Sequence, residues 1–174
     1  AVELAVGGSE TGKGRGGVLG GSRVMKRKCV VFGAGGGAGA IVELVAALNA
    51  VEPRSLLSGF LDDGHTMHET SLFDQLVLGP TDLARSITGD TMFIIGVANY
   101  RRQFDRADIA KRLDLNRERY ATLVHPLASV SDHCTIGNGV LVFQNAVVGD
   151  GAVIADHVYL SPFAFVGHHA ELGQ

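Results

Sequence analysis

From Val124 to the C-terminus an aliphatic residue returns at every sixth position without a slip: Val124, Val130, Ile136, Val142, Val148, Ile154, Leu160, Val166 and Leu172. Four residues after each of the first eight stands a small one: Ala128, Cys134, Val140, Ala146, Ala152, Val158, Ala164 and Ala170. A period of six fits neither a helix nor a lone strand, whose apolar residues return every 3.6 and every two positions. It fits a β-solenoid, in which each hexad builds one short flat face with the aliphatic residue inside and the small one at a crowded corner. Three hexads close a triangular coil. Val124 to Leu141 is then one coil, Val142 to Tyr159 a second, and Leu160 opens a third. Gly137, Gly149, Gly167 and Gly173 follow inward aliphatics, where the corner is expected to need backbone freedom. His133 and His157 are expected to point outward from corners.

Composition narrows the function classes. The chain has 174 residues, 46% of them hydrophobic, and a formal net charge of -3 with no long basic run, which gives no electrostatic case for nucleic acid. Cys29 in an apolar run and Cys134 inside a hexad make no disulfide framework and suit a reducing, cytoplasmic compartment. No apolar segment approaches the roughly 20 residues that span a bilayer, so no membrane contact is expected. No metal site is expected either, because His65 and His68 lie on a polar loop with too few further ligands and read as solvated.

Residues 1–24 hold eight glycines and no periodicity, the composition of a disordered tail ahead of a natural start at Met25. The stretch 25–123 reads as a small α/β unit. Cys29-Val30-Val31-Phe32 is a short apolar strand that runs into Gly33-Ala34-Gly35-Gly36-Gly37-Ala38-Gly39 and then a helical pattern from Ile41 to Leu48. Strand, glycine turn and helix give Gly33, Gly35 and Ala38 the Gly-x-Gly-x-x-(Gly or Ala) frame. Such a turn lets backbone N–H groups approach a phosphate; alternatively it only lets helix and strand pack tightly. A second strand, Leu56 to Leu61, ends in Asp62-Asp63-Gly64, where a carboxylate can meet a ribose or base, although Asp62 stands 29 residues after Gly33, beyond the usual spacing of roughly 20. Leu76 to Gly79 reads as a third strand, Thr81 or Asp82 as the cap of a brief helix, and Thr91 to Gly96 as a fourth strand. Asn99-Tyr100-Arg101-Arg102 opens a charged helix reaching Leu113, and Tyr120 to Val124 delivers the chain to the hexads. Arg101 is either a phosphate contact or one of several arginines on a wet face.

The hexads resemble those of the hexapeptide-repeat acyltransferases. The pair of units is similar to the nucleotide-sugar N-acetyltransferases and sialic acid O-acetyltransferases of bacterial glycan pathways. The residues that carry the likeness are Phe32-Gly33-Ala34-Gly35-Gly36, Phe60-Leu61-Asp62-Asp63, Ile94-Ile95-Gly96 with Arg101, His125-Pro126 and Val166-Gly167-His168. The resemblance implies a Rossmann-like unit followed by a left-handed parallel β-helix over 124–174, assembled as a homotrimer. It implies a UDP- or GDP-linked amino sugar held through Gly33, Gly35, Gly36, Asp62, Asp63, Gly96 and Arg101. Acetyl-CoA would lie along the coil at a subunit boundary, with His168 as general base. Imidazole suits that role because an amine or hydroxyl attacking a thioester must lose a proton near neutral pH.

Three departures qualify the likeness. The family commonly places Asp or Glu after the base, whereas His169 stands there, so the His168–His169 pair is the catalytic candidate. Gly37 replaces a side chain, often His, in the family's glycine turn. The repeat stops at Leu172-Gly173-Gln174, in mid-coil, which leads us to expect a fragment that keeps nucleotide-sugar binding and has little or no acetyl transfer. Two other readings compete: a non-catalytic trimeric scaffold, and a dinucleotide-dependent oxidoreductase, for which the α/β unit is too short to hold two mononucleotide-binding halves.

Overall fold

The structure, a computed structural model, describes residues 27–53, 55–97 and 105–173; Arg101 and the predicted tail lie outside them. Strand β1 (Arg27–Phe32) leads into helix α1 (Ala38–Val51), then β2 (Ser55–Leu61), a short β3 (Ser71–Leu72), β4 (Gln75–Gly79), β5 (Met92–Ile95) and helix α2 (Asp105–Leu113). The sheet order is β3-β4-β2-β1-β5, with β1 parallel to β2 and β5, β2 parallel to β4, and β3 antiparallel at the edge. Alternation along β1 splits its side chains between two cores. Val31 packs with Ile41, Leu44, Phe60 and Ile94 under α1, while Val30 and Phe32 pack with Leu61, Phe93, Leu113 and Tyr120 on the other face. Helix α1 buries Ala38, Ile41, Leu44 and Val45 along one stripe and ends ahead of Pro53, which disfavours helical backbone in the residue before it. The Asn49 amide then clasps the start of β2, donating to the Ser55 carbonyl (2.8 Å) and accepting from its N–H (3.0 Å).

The hexads form two-residue strands: β6 (Leu123–Val124), β7 (Ser129–Val130), β8 (Thr135–Ile136), β9 (Leu141–Val142), β10 (Val147–Val148), β11 (Val153–Ile154), β12 (Tyr159–Leu160), β13 (Phe165–Val166) and β14 (Glu171–Leu172). Leu123 pairs with Leu141 and Leu141 with Tyr159, a shift of 18 residues per coil, so three hexads do close one turn. The three parallel faces are β6-β9-β12, β7-β10-β13 and β8-β11-β14, the arrangement of a left-handed parallel β-helix. Val142, Val148, Ile154, Leu160 and Val166 are buried along its axis with Val140, Ala146 and Ala152, as the repeat predicts.

Corner chemistry differs from expectation. Gly137, Gly149, Gly167 and Gly173 do not take left-handed backbone. Gly149 is small because the next coil passes directly over it: a Cβ there would stand 2.7 Å from the His168 N and 3.0 Å from its Cα. The left-handed residue falls two places later in the hexad, at Gly139 (φ 69°), Asn145 (60°), Gly151 (66°), His157 (63°), Phe163 (62°) and His169 (54°). Four of these are not glycine, so the corner tolerates a side chain in an uncommon conformation.

The two units share a core rather than meeting at a gap. Leu123, Leu141 and Phe143 are buried with the residues under α1, and Tyr159 packs against them, so the first coil face is covered by the α/β unit. Where the third face turns into the first, Arg106 of α2 is 6% exposed and staples both units: Nη1 donates to the Ile95 carbonyl of β5, Nη2 to the Gly139 carbonyl (2.9 Å) and Nε to the His157 carbonyl (2.7 Å). Its guanidinium also lies 5.7 Å from the Tyr159 ring centre. Burial brings its pKa down to about 10, which leaves it charged at neutral pH.

His157, expected to face solvent, is 8% exposed and sits edge-on to Tyr120 with ring centres 4.7 Å apart. Its Nδ1 has no hydrogen-bond partner among the described residues. Burial pulls its pKa below the ordinary value, Asp156 opposes the shift, and the Arg106 and Arg117 charges reinforce it. The unfolded imidazole titrates near ~6.5 and therefore binds a proton that the folded one refuses, so stability is lost as pH falls through that value. We expect the urea midpoint to drop between pH 7.5 and 5.5, and to drop less in His157→Phe. Asp63 does not share this window. Its partial burial opposes ionisation, but the Thr81 N–H and hydroxyl and the Arg112 charge hold its carboxyl below the ordinary range, so it weakens the fold only below the usual carboxylate pKa of ~3.9.

Candidate active site

The crevice of the α/β unit lies where the order reverses, between β1, which is followed by α1 and β2 on one side, and β5 on the other. Ligands of open parallel sheets bind at this switch point, beyond the carboxyl ends of the strands. Gly33 (φ 99°) leaves β1 in a conformation glycine favours, and a Cβ there would meet the Val97 side chain at 2.9 Å. Gly96, at the end of β5, donates to the Phe32 carbonyl (2.8 Å). A Cβ at Gly96 would stand 2.7 Å from Val31 and 3.3 Å from Ile41, so glycine is required to bring the strand against α1. Gly35 and Gly36 have no neighbour within 4 Å of a built Cβ and face open space. Gly37 offers α1 no side-chain cap, and no acidic residue stands in its first turn, so although the Ala38 N–H donates to the Gly35 carbonyl (3.0 Å), the helix turns its positive dipole end to the crevice without a carboxylate to neutralise it.

The two aspartates behave differently. Asp62 Oδ2 accepts from the Ala34 N–H at 2.7 Å and Oδ1 from the Gly64 N–H at 2.8 Å, so this carboxylate ties the glycine turn to the end of β2. Asp63 turns away, accepting from the Thr81 N–H and hydroxyl (both 2.8 Å) and pairing with Arg112 (3.0 Å). That same bond pattern explains why Thr81 does not cap the short 3₁₀ turn Thr81–Arg85, whose cap is Pro80. His68, expected to be a solvated loop residue, is half-buried with Nε2 2.7 Å from the Asp62 carbonyl, while His65 is exposed.

His168 and His169 form the turn between β13 and β14, at the corner opposite the face covered by the α/β unit. Both are exposed, with ring centres 5.4 Å apart. His169 is engaged in packing: its N–H donates to the Asp150 carbonyl (2.8 Å), and its imidazole fills the space that a Cβ on Gly151 would occupy. His157 fills the space over Gly139 in the same way, one hexad pair earlier. The side chain of His168 is left facing solvent. Among the described residues, no hydrogen bond or ion pair links the glycine turn to this corner within one chain. A groove of about 390 Å³ opens elsewhere, lined by Arg117, Thr135, Asn138 and Asp156, and touches neither. The described residues contain no group of three or more His, Cys, Asp or Glu placed to hold a metal, and no helix long and apolar enough to cross a membrane.

Sequence reasoning missed Arg106, the Asp63–Thr81–Arg112 cluster and the packing role of His169. For the last a signal existed, since His157 and His169 each stand one coil above a glycine, Gly139 and Gly151.

Comparison with known proteins bears on this arrangement. Residues 133–168 match the family described as bacterial transferase hexapeptide (six repeats). The chain is 34% identical over 122 residues to UDP-N-acetylbacillosamine N-acetyltransferase of Bacillus subtilis, an alignment covering 68% of this chain and 51% of that protein. It thus spans about half the length of that curated relative. The acetyltransferase domain of PglB from Neisseria gonorrhoeae, solved in complex with acetyl coenzyme A, superimposes with a TM-score of 0.65 at 29% identity, over 84% of this chain and 67% of that one. PerB from Caulobacter crescentus, solved with CoA and GDP-perosamine, shares the fold with a TM-score of 0.65 at 19% identity, over 84% of this chain and 65% of its own. Residues 133–168 thus match the bacterial transferase hexapeptide repeat, in a chain similar to about half the length of UDP-N-acetylbacillosamine N-acetyltransferase.

Proposed function

We propose that the protein transfers an acetyl group from acetyl-CoA to the amino group of a nucleotide-linked sugar, with His168 as general base. The observation that carries this reading is the combination of an open, uncapped glycine turn at a parallel-sheet switch point with a hexapeptide coil that exposes an imidazole. The diphosphate of the sugar nucleotide sits against the N–H groups of Gly35, Gly36 and the first turn of α1, where the dipole and the missing side chains favour a close anionic group. Gly33 and Gly96 hold the crevice open by their close packing, Asp62 fixes the turn, and Arg101 supplies the cation. His169 and Asp63 support the structure around the site.

At the coil, His168 accepts a proton from the attacking amine as its nitrogen bonds to the thioester carbon. The C–S bond then breaks, and the proton leaves with the departing sulfur as the free thiol of coenzyme A. The glycine turn and His168 lie on opposite sides of one chain, so a second copy must bring its His168 corner to the crevice. A surface for that contact exists: Leu127, Val147, Phe163 and Phe165 form an exposed apolar stripe on the second face and its leading corner, with both phenylalanines at least 74% exposed. A homotrimer covering this stripe places acetyl-CoA along the subunit boundary beside His168.

The reading is tested by incubating the protein with acetyl-CoA and a UDP- or GDP-linked amino sugar and following thiol release together with product mass. An acetylated sugar nucleotide that resists hydroxylamine, as an amide does, is expected. A hydroxylamine-labile ester would move the reaction to a hydroxyl acceptor, and thiol release without acetylated sugar would contradict the reading.

A further inference from the structure

We propose that Asp150, one coil beneath His168 at the same corner, is the positioning carboxylate of that histidine; this rests on His168 being the general base. The coil register carries the inference. Val148 pairs with Val166, and Asp150 and His168 stand two residues beyond them, so they occupy the same rung of adjacent coils. The His169 N–H to Asp150 carbonyl bond of 2.8 Å locks that alignment. Adjacent strands are about 4.8 Å apart, which places two outward side chains on one rung within reach of a direct or single-water hydrogen bond.

The residue next in sequence cannot serve. His169 carries no carboxylate, and its ring is turned down into the slot above Gly151. Asp150 is exposed, and its Oδ1 accepts only a long 3.2 Å bond from the Ser131 hydroxyl, a contact that a side-chain rotation toward His168 exchanges. The other titratable groups of this corner are placed less well. Asp132 and His133 stand on the first coil, about two strand spacings from His168. Glu171 lies on β14, on the third face beyond the turn. A carboxylate on one imidazole nitrogen fixes the tautomer, presents the other nitrogen to the acceptor and supports the imidazolium that forms.

NMR of the histidine ring nitrogens tests this without requiring turnover, and so separates it from the acetyl-transfer reading. In Asp150→Asn the His168 ring nitrogen shifts are expected to move from those of one fixed tautomer toward an even mixture of the two, with Asp150→Glu restoring most of the original pattern. Ser131→Ala, which frees the carboxylate, is expected to sharpen the single-tautomer pattern. With acetyl transfer as readout, kcat falls in Asp150→Asn while KM for acetyl-CoA stays unchanged. His168 ring shifts that neither Asp150→Asn nor Ser131→Ala moves overturn the proposal.

Discussion

Replacing His168 by Ala is expected to lower kcat for acetyl transfer roughly 10²- to 10⁴-fold with little change in KM for either substrate, the loss typical of a missing general base. His169→Ala is expected to cost far less in kcat and to show its effect in stability, because that ring packs over Gly151. The contrast is informative because the two residues are adjacent, both exposed and chemically identical. Their difference is geometric: His169 has left-handed backbone and folds back along the coil, whereas His168 does not. Steady-state kinetics of the two variants, with urea unfolding alongside, checks both halves. Equal kinetic losses, or a larger loss in His169→Ala, would contradict the assignment.

Arg106→Ala is expected to be strongly destabilising, by on the order of 3 to 5 kcal/mol, because it strands three buried carbonyls and empties a packed site. Two of those carbonyls belong to coil corners and one to β5, so the loss loosens the junction between units and not one element alone. Arg106→Lys is expected to recover only part, since an ammonium cannot span three acceptors arranged around a planar fork. Among the described residues no carboxylate pairs with Arg106. Its charge is instead compensated by carbonyl dipoles and the Tyr159 ring. Urea denaturation of the two variants measures the difference; an Arg106→Ala midpoint within experimental error of the parent would refute the staple.

The coil was legible because its constraint is local and repeated. An aliphatic residue every sixth position leaves no other regular structure, and Val142 through Val166 occupy the axis as the repeat requires. The glycine turn was legible for the same reason, since strand, glycines and helix adjoin in sequence. What escaped depends on partners distant in the chain. Nothing in the neighbourhood of Arg106 signals that Ile95, Gly139 and His157 converge on it. His157 looked like an outward corner residue because its hexad position is outward; only the arrival of Tyr120 from the α/β unit buries it. The corner glycines illustrate a subtler limit. Repetition located them correctly, but the reason for glycine is the next coil overhead at Gly149, while the backbone demand falls two residues later. Asp62 and Asp63 appeared equivalent in sequence and diverge because Thr81 and Arg112 capture one of them.

The α/β crevice is proposed to hold a nucleotide sugar for a reaction at the coil. Calorimetric titration of the protein with UDP, GDP and NADH side by side tests it most directly. Saturable binding of UDP or GDP, with none of NADH, is the predicted result. Binding of NADH alone, or of no nucleotide by a folded sample, would contradict the account and reduce the glycine turn to a packing device.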